Sequence, residues 1–289
     1  MAGGTKKSGV ADELTAAPGR GRARRQDAPA KRNANECFDI VGDVHGCLVE
    51  LLELLKALGY GVKRRREDFA VTPPQGRTLA FVGDLVDRGP AAPGVLRLVM
   101  DMARAGTALC VAGNRDVELV RAMRGRVAEV SRGMARTLEQ LAAQPKEFRA
   151  EVVRFLRGLP SQLMLDAGRL VVAHAGLKEA MQGRASVEAR AFALHGEVTG
   201  KRDASGLQVR KNWAADYHGK ALVVHGHTPV SAPEWLNNTV NLDTGCVYGG
   251  HLTALRYPER ETISIPAKAI YYAPRRTFAA NRTLARARR

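Results

Sequence analysis

A chain of 289 residues with 45% hydrophobic and 26% charged residues can bury one enzyme-sized core, and one globular domain is expected. Its formal net charge of +16 is unusual and points to a polyanionic partner. No run approaches the roughly 18 to 20 uncharged apolar residues of a membrane helix, and the start has no apolar signal core, which argues against a membrane role and leaves the cytoplasm as the expected location.

Much of the positive charge lies at the ends. Residues 1–36 are rich in Gly, Ala, Lys and Arg, with the run Gly19-Arg-Gly-Arg-Ala-Arg-Arg25, and are expected to be a disordered basic tail. Residues 267–289, arginine-rich from Arg275 onward, are expected to be a second basic tail. Tails of this kind bind nucleic acid through salt-sensitive phosphate contacts, or simply stay solvated. The folded domain is then expected over 37–266.

That domain opens on Phe38-Asp-Ile-Val41, a strand-like run that ends at Gly42-Asp-Val-His-Gly46, and is followed by leucines at helical spacing from Leu48 to Leu58. The pattern recurs. Thr78 to Val82 leads to Gly83-Asp-Leu-Val-Asp-Arg-Gly-Pro90 and a helix from Pro93 to Ala105, and Ala108 to Val111 leads to Gly113-Asn-Arg-Asp116. Such strand, loop, helix units predict an α/β core with parallel strands. Residues 118–158 read as helical, with Arg121, Arg124, Arg126, Arg132 and Arg136 in the first half, either a cap over a site or a solvated face. Beyond them six strand-like runs, at 163–166, 169–173, 221–224, 239–242, 252–257 and 262–265, predict a second sheet stacked on the first. Cys37, Cys47, Cys110 and Cys246 form no Cys-x-x-Cys pair, so buried free thiols are expected rather than a disulfide framework.

Five clusters carry the chemistry: Asp43 with His45, then Asp84, Asn114, His174 and His227, each within two residues of a glycine and each after a strand-like run. An open α/β sheet brings the carboxyl ends of its strands to one edge, where sites form. Carboxylates mixed with imidazoles suit manganese, iron, nickel or zinc better than calcium or magnesium. Each cluster alone would be unremarkable. All five in order resemble the phosphoprotein-phosphatase branch of the calcineurin-like metallophosphoesterases, through Gly42-Asp-Val-His-Gly46, Gly83-Asp-Leu-Val-Asp-Arg-Gly-Pro90, Gly113-Asn-Arg-Asp116, His174-Ala-Gly176 and Gly226-His-Thr228. Four longer stretches, 38–47, 172–178, 212–215 and 234–246, are similar to the phosphatase domain of bacterial polynucleotide kinase-phosphatase, an RNA end-healing enzyme.

The resemblance implies a four-layer α-β-β-α sandwich of two mixed sheets and a pair of divalent transition metal ions, manganese first among them. Asp43, His45 and Asp84 would hold one ion, and Asp84, Asn114, His174 and His227 the other, with a hydroxide between them attacking phosphorus. Arg88 would grip phosphate oxygens with its planar fork. Arg115 and Asp116 fall in the family's third catalytic motif, Asp243 matches a further acidic position as ligand or support, and His225 is the nearby candidate for a substitute acid. The implied substrates are RNA ends bearing 2′,3′-cyclic, 2′- or 3′-phosphates, with separately encoded RNA-repair proteins as partners. Neither a phosphate-loop nor a nucleotidyl-transfer motif accompanies the phosphatase unit. The alternatives are a phosphoprotein or dinucleoside-polyphosphate phosphatase, or a weakened RNA-binding member. The last follows from Arg115, which stands where the family has a proton-donating histidine: arginine stays protonated and cannot act as general acid.

Overall fold

The computed structural model describes residues 36–202 and 208–273; the expected basic tails lie outside the described residues, except for Glu36 and 267–273. In chain order the elements are β1 (Cys37–Val41), α1 (Leu48–Ala57), β2 (Gly61–Arg65), β3 (Asp68–Thr72), β4 (Arg77–Phe81), α2 (Ala92–Arg104), β5 (Ala108–Cys110), α3 (Asn114–Met123), α4 (Arg132–Ala142), α5 (Lys146–Gly158), β6 (Gln162–Leu165), β7 (Leu170–Ala173), α6 (Val187–His195), β8 (Val198–Arg202), β9 (Gln208–Arg210), β10 (Leu222–His225), β11 (Glu234–Leu236), β12 (Thr239–Asn241), β13 (His251–Tyr257) and β14 (Glu261–Pro266). No helix among the described residues is long and apolar enough to cross a membrane.

Two five-stranded sheets form the centre, in the orders β14-β13-β1-β4-β5 and β11-β12-β10-β7-β6. Each has three parallel strands with antiparallel strands added: β1, β4 and β5 run together with β13 and β14 on one side, and β7, β10 and β12 run together between β6 and β11. The apolar side chains explain why the sheets stack. In a strand, successive residues point to opposite faces. Phe38, Ile40, Ala80 and Val82 therefore face Leu170, Val172, Leu222 and Val224 in the layer between the sheets. Their neighbours Val41, Leu79 and Phe81 turn outward onto the leucines of α1 and the valines of α2. On the far side Val171, Ala173 and Val223 pack with Phe192 of α6 and with Trp213 and Tyr217. The architecture is the expected α-β-β-α sandwich of two mixed sheets.

Three features depart from the reading of the sequence. The charged region 118–158 is helical as read, divided among parts of α3, α4 and α5, but α4 is neither a cap over the site nor a free solvated face: it lies against the loop after β4. The β2–β3 hairpin and the β8–β9 hairpin were not anticipated. Residues 267–273, expected as the start of a tail, are fastened to the domain: Ala267 N donates to Gly250 O at 2.9 Å, and the amides of Tyr271 and Tyr272 both donate to Val247 O, at 3.1 and 3.0 Å. Lys268 N and the Tyr271 hydroxyl each donate to Oε1 of buried Glu50, at 2.8 Å. Cys47, Cys110 and Cys246 are buried free thiols and Cys37 is half-buried.

Candidate metal centre

The six expected ligands all follow strand ends: Asp43 and His45 follow β1, Asp84 follows β4, Asn114 opens α3 after β5, His174 follows β7 directly, and His227 lies two residues past β10. Because these strands are parallel within their sheets, their carboxyl ends share one edge of the stack. The chain turns there through costly backbone. His45, Asp84, Asp87, Arg88 and His227 all have positive φ, between 46° and 80°, a region that non-glycine residues occupy only where the surroundings hold them. Glycine permits the closest approach. A Cβ on Gly113 would fall on the amide and carboxylate of Asp84, and one on Gly226 would fall on the carboxylate of Asp43.

Two sets of donor atoms result, Asp43-His45-Asp84 and Asp84-His174-His227, each within 4.8 Å of one another and sharing Asp84. The hydrogen bonds fix what they present. His45 Nδ1 donates to Val86 O at 2.8 Å and His174 Nδ1 donates to Val82 O at 3.1 Å, so each Nε2 carries a lone pair. His174 Nε2 then faces Asp84 Oδ1 at 3.4 Å and Asn114 Oδ1 at 2.9 Å, both acceptors, with His227 Nδ1 at 2.8 Å. His45 Nε2 lies 3.7 Å from Asp84 Oδ2 and 4.0 Å from Asp43 Oδ2. Lone pairs converging from carboxylates, an amide oxygen and imidazoles are what a cation satisfies, and the backbone carbonyls behind the His45 and His174 rings are the usual outer support of metal-ligating histidines. His227 Nε2 and Asp243 Oδ2 are buried without hydrogen-bond partners. The residues present thus fit two divalent cations.

Electrostatics agree. Burial first, then the nearby charges of Asp243 and Asp84, raises Asp43 well above the usual carboxylate range. Asp84 goes the other way: burial opposes ionisation, but His174, His45 and Arg115 outweigh it and hold the carboxyl low. Burial, then the Arg88 charge, lowers His45 to about 3, and burial also lowers His174 and His227. Neutral imidazoles beside crowded carboxylates form a site ready for metal.

Around this centre Arg88 reaches His45 Nε2 with Nη1 at 3.1 Å and pairs with Asp87 at 3.2 Å. Arg115 donates its backbone N–H to Asp84 Oδ1 at 2.8 Å, and its guanidinium pairs with Asp87 at 3.3 Å and Glu118 at 2.7 Å. Asp116 is not at the reacting centre: its two oxygens accept the amides of Leu85 and Gly113, both at 3.0 Å, which ties the Asp84 loop to the start of α3. This makes it a positioning residue. His225 likewise turns away, its ring packed edge-on against Trp213 at 5.3 Å, and so is no substitute acid. Asp243 accepts Gly245 N at 3.1 Å with Oδ1, its Oδ2 is buried without a hydrogen-bond partner, and its charge raises the Asp43 carboxyl, consistent with ligand or support.

The sequence reading missed Asp87, whose signal was its place in Gly83-Asp-Leu-Val-Asp-Arg, three residues after Asp84. It also missed Tyr248 and Tyr272, whose rings lie 5.5 and 5.9 Å from the Arg88 guanidinium; nothing in the sequence ties these two tyrosines to Arg88.

Comparison with known proteins places these observations among relatives. A family model described as calcineurin-like phosphoesterase matches residues 38–231. The chain is 44% identical over 240 residues to a protein of Anoxybacillus flavithermus named bis(5′-nucleosyl)-tetraphosphatase PrpE [asymmetrical], covering 82% of this chain and 96% of that protein. It is 46% identical over 235 residues to the protein of the same name in Halalkalibacterium halodurans, covering 80% and 94%. A crystal structure of a protein assigned as a diadenosine tetraphosphatase superposes with a TM-score of 0.55 at 27% identity, covering 81% of this chain and 95% of that one. A serine/threonine phosphatase from Saccharomyces cerevisiae shares the fold at 13% identity and a TM-score of 0.55. The two bacterial relatives carry the name of a dinucleoside-polyphosphate phosphatase, one of the alternatives in the sequence reading, and not that of polynucleotide kinase-phosphatase.

Proposed function

Because the chain belongs to the calcineurin-like phosphoesterases and is a phosphoric ester hydrolase of that family, we propose that its substrate is a dinucleoside polyphosphate, cleaved asymmetrically in the polyphosphate chain. The observation that carries this reading is Arg115. A histidine at that place would protonate the leaving oxygen, and arginine cannot. Its pKa is held above its already high value by Asp84, Asp87 and Glu118, against the effect of burial. An alkoxide leaving from ribose needs that proton. A nucleotide phosphate leaving from an anhydride does not, since its second pKa is about 6. A site that retains the ligands but replaces the acid is suited to anhydrides, and the names of the relatives agree.

Asp43, His45 and Asp84 would hold one divalent ion, and Asp84, Asn114, His174 and His227 the other. Manganese is our first choice for a mixed carboxylate and imidazole set. When bound, the ions neutralise phosphoryl charge and lower the pKa of water. Asp84 holds both sets at one carboxylate. Arg88, kept between His45 and Asp87, donates to non-bridging oxygens of the phosphoryl group as its charge redistributes. Arg115 supplies a fixed positive charge beside the leaving phosphate.

A second reading, hydrolysis at RNA 2′,3′-cyclic or monophosphate ends, alone or with RNA-repair partners, is favoured by the net charge of +16 and the four similar stretches named above. Product analysis of diadenosine tetraphosphate and of RNA with a 2′,3′-cyclic end after incubation with the enzyme, with manganese present, separates the two. The expected result is conversion of diadenosine tetraphosphate to ATP and AMP, with RNA cleaved at least about a hundredfold more slowly. Asp84→Ala, which removes the shared ligand, is expected to abolish both activities. Faster turnover of RNA would reverse the order of the readings.

A further inference from the structure

Aromatic residues are scarce, at 5% of the chain, yet two of its six tyrosines meet beside Arg88. They arrive from separate segments. Tyr248 ends the short turn Cys246–Tyr248 that follows Asp243, and Tyr272 lies on the segment 267–273. Both rings are half-buried, with centroids 6.4 Å apart and planes inclined by 67°. The segment that brings Tyr272 is fastened at every turn: to Gly250 and Val247 through its backbone and to buried Glu50 through Lys268 N and Tyr271 Oη. Arg136 adds a bond from Nη1 to Tyr271 O at 3.4 Å while also holding Arg88 O at 3.1 Å.

Arg88 has polar restraint without the rings, through Asp87 and His45. A wholly inorganic or protein-bound phosphate would need nothing more at this place. A nucleotide carries its base one ribose from the phosphate that Arg88 holds, and a base stacks on tyrosine whatever its sequence identity.

We propose that Tyr248 and Tyr272 form the wall on which a nucleobase of the substrate stacks, so that the segment 267–273 belongs to the specificity site. This rests on the nucleotide reading above and assigns that reading a recognition element.

The test uses ATP and inorganic tripolyphosphate as competitive inhibitors of p-nitrophenyl phosphate hydrolysis by the full chain, at constant free manganese. Replacing both rings, as Tyr248→Leu with Tyr272→Leu, is expected to raise the inhibition constant of ATP about tenfold. The constant for tripolyphosphate, which has no base, should stay within about twofold. Tyr272→Leu alone should show part of the effect, and the two Tyr→Phe variants should behave as wild type, since stacking does not need the hydroxyl. An equal rise for both inhibitors would mean that the rings only prop Arg88 and would overturn the proposal, as would an unchanged ATP constant. An ATP-selective loss in a protein that leaves diadenosine tetraphosphate intact would sustain the base wall while sinking the proposed substrate.

Discussion

Asp87 is the point on which two cations converge, Arg88 at 3.2 Å and Arg115 at 3.3 Å, and its carboxylate is buried. Burial raises its pKa although both guanidinium groups oppose the rise. With an imidazole in place of Arg115, this carboxylate could orient a proton donor; with arginine it orients a permanent charge. Arg115→His should therefore change the leaving groups that the enzyme accepts. Cleavage of an alkyl ester such as an RNA 2′,3′-cyclic end is expected to rise about a hundredfold to ten-thousandfold, the range of general acid catalysis, while anhydride cleavage stays within a few-fold. Measuring kcat for both substrates checks this, and a uniform loss would show that the arginine charge matters more than the missing proton.

The short helix α4 shows how an element can act on chemistry without touching substrate. Its Gly133 O accepts Arg88 N at 3.4 Å, Arg136 holds Arg88 O, Thr137 Oγ1 accepts Asp87 N at 3.2 Å, and Gln140 bridges Gly89 O and Ala92 N at 3.0 and 2.9 Å. One face of the helix thus clamps the whole loop from Asp87 to Ala92. Gly133 is the tight point, where a Cβ would meet Asp87 Oδ1 and lie 2.7 Å from Arg88 Cγ. Gly133→Ala is expected to cost about 1–3 kcal/mol of overpacking and to raise the KM for phosphate substrates. Thermal unfolding and steady-state kinetics read the two effects, and a variant with wild-type values for both would show that the loop yields freely. The sequence announced the parallel strands and their ligands clearly, because buried strands need unbroken apolar runs and turns at their ends need glycine. It was silent on α4. The arginines there look like any solvated helix face, and only tertiary contact shows that Arg136 points inward to the loop. The segment 267–273 was hidden for a similar reason: its order comes from backbone bonds to Val247 and Gly250 and from Glu50, none of which composition reveals.

Across the whole molecule, the charges buried at one edge make folding sensitive to pH when metal is removed. Burial pushes Asp243 up to about 7 and Asp116 up to about 8, with the Asp84 charge adding to both. Buried His45 and His225 are lowered to about 3 and about 4. Below pH 6.5 the two groups oppose each other, since the unfolded chain binds more protons at histidine and fewer at aspartate. From about pH 6.5 to 8 only the carboxyls count: the folded state keeps protons that the unfolded chain has released, so stability falls as pH rises. The chelated protein should lose roughly 2–5 °C of melting temperature over that interval. Saturating manganese should raise the melting temperature and flatten the slope, because a facing cation favours the ionised carboxylates. A chelated protein that melts higher at pH 8 than at pH 6.5 would count against this account. The way the chain enters and leaves the sandwich has a practical side as well. Cys37 opens β1 at the end of the strand opposite Asp43, whereas Ala273 follows Tyr272, at the mouth of the phosphate clamp. A tag, fluorophore or surface linker joined on the amino-terminal side therefore starts at the rear of the catalytic edge. The same cargo joined directly after Ala273 would start at the doorway and compete with the substrate for it.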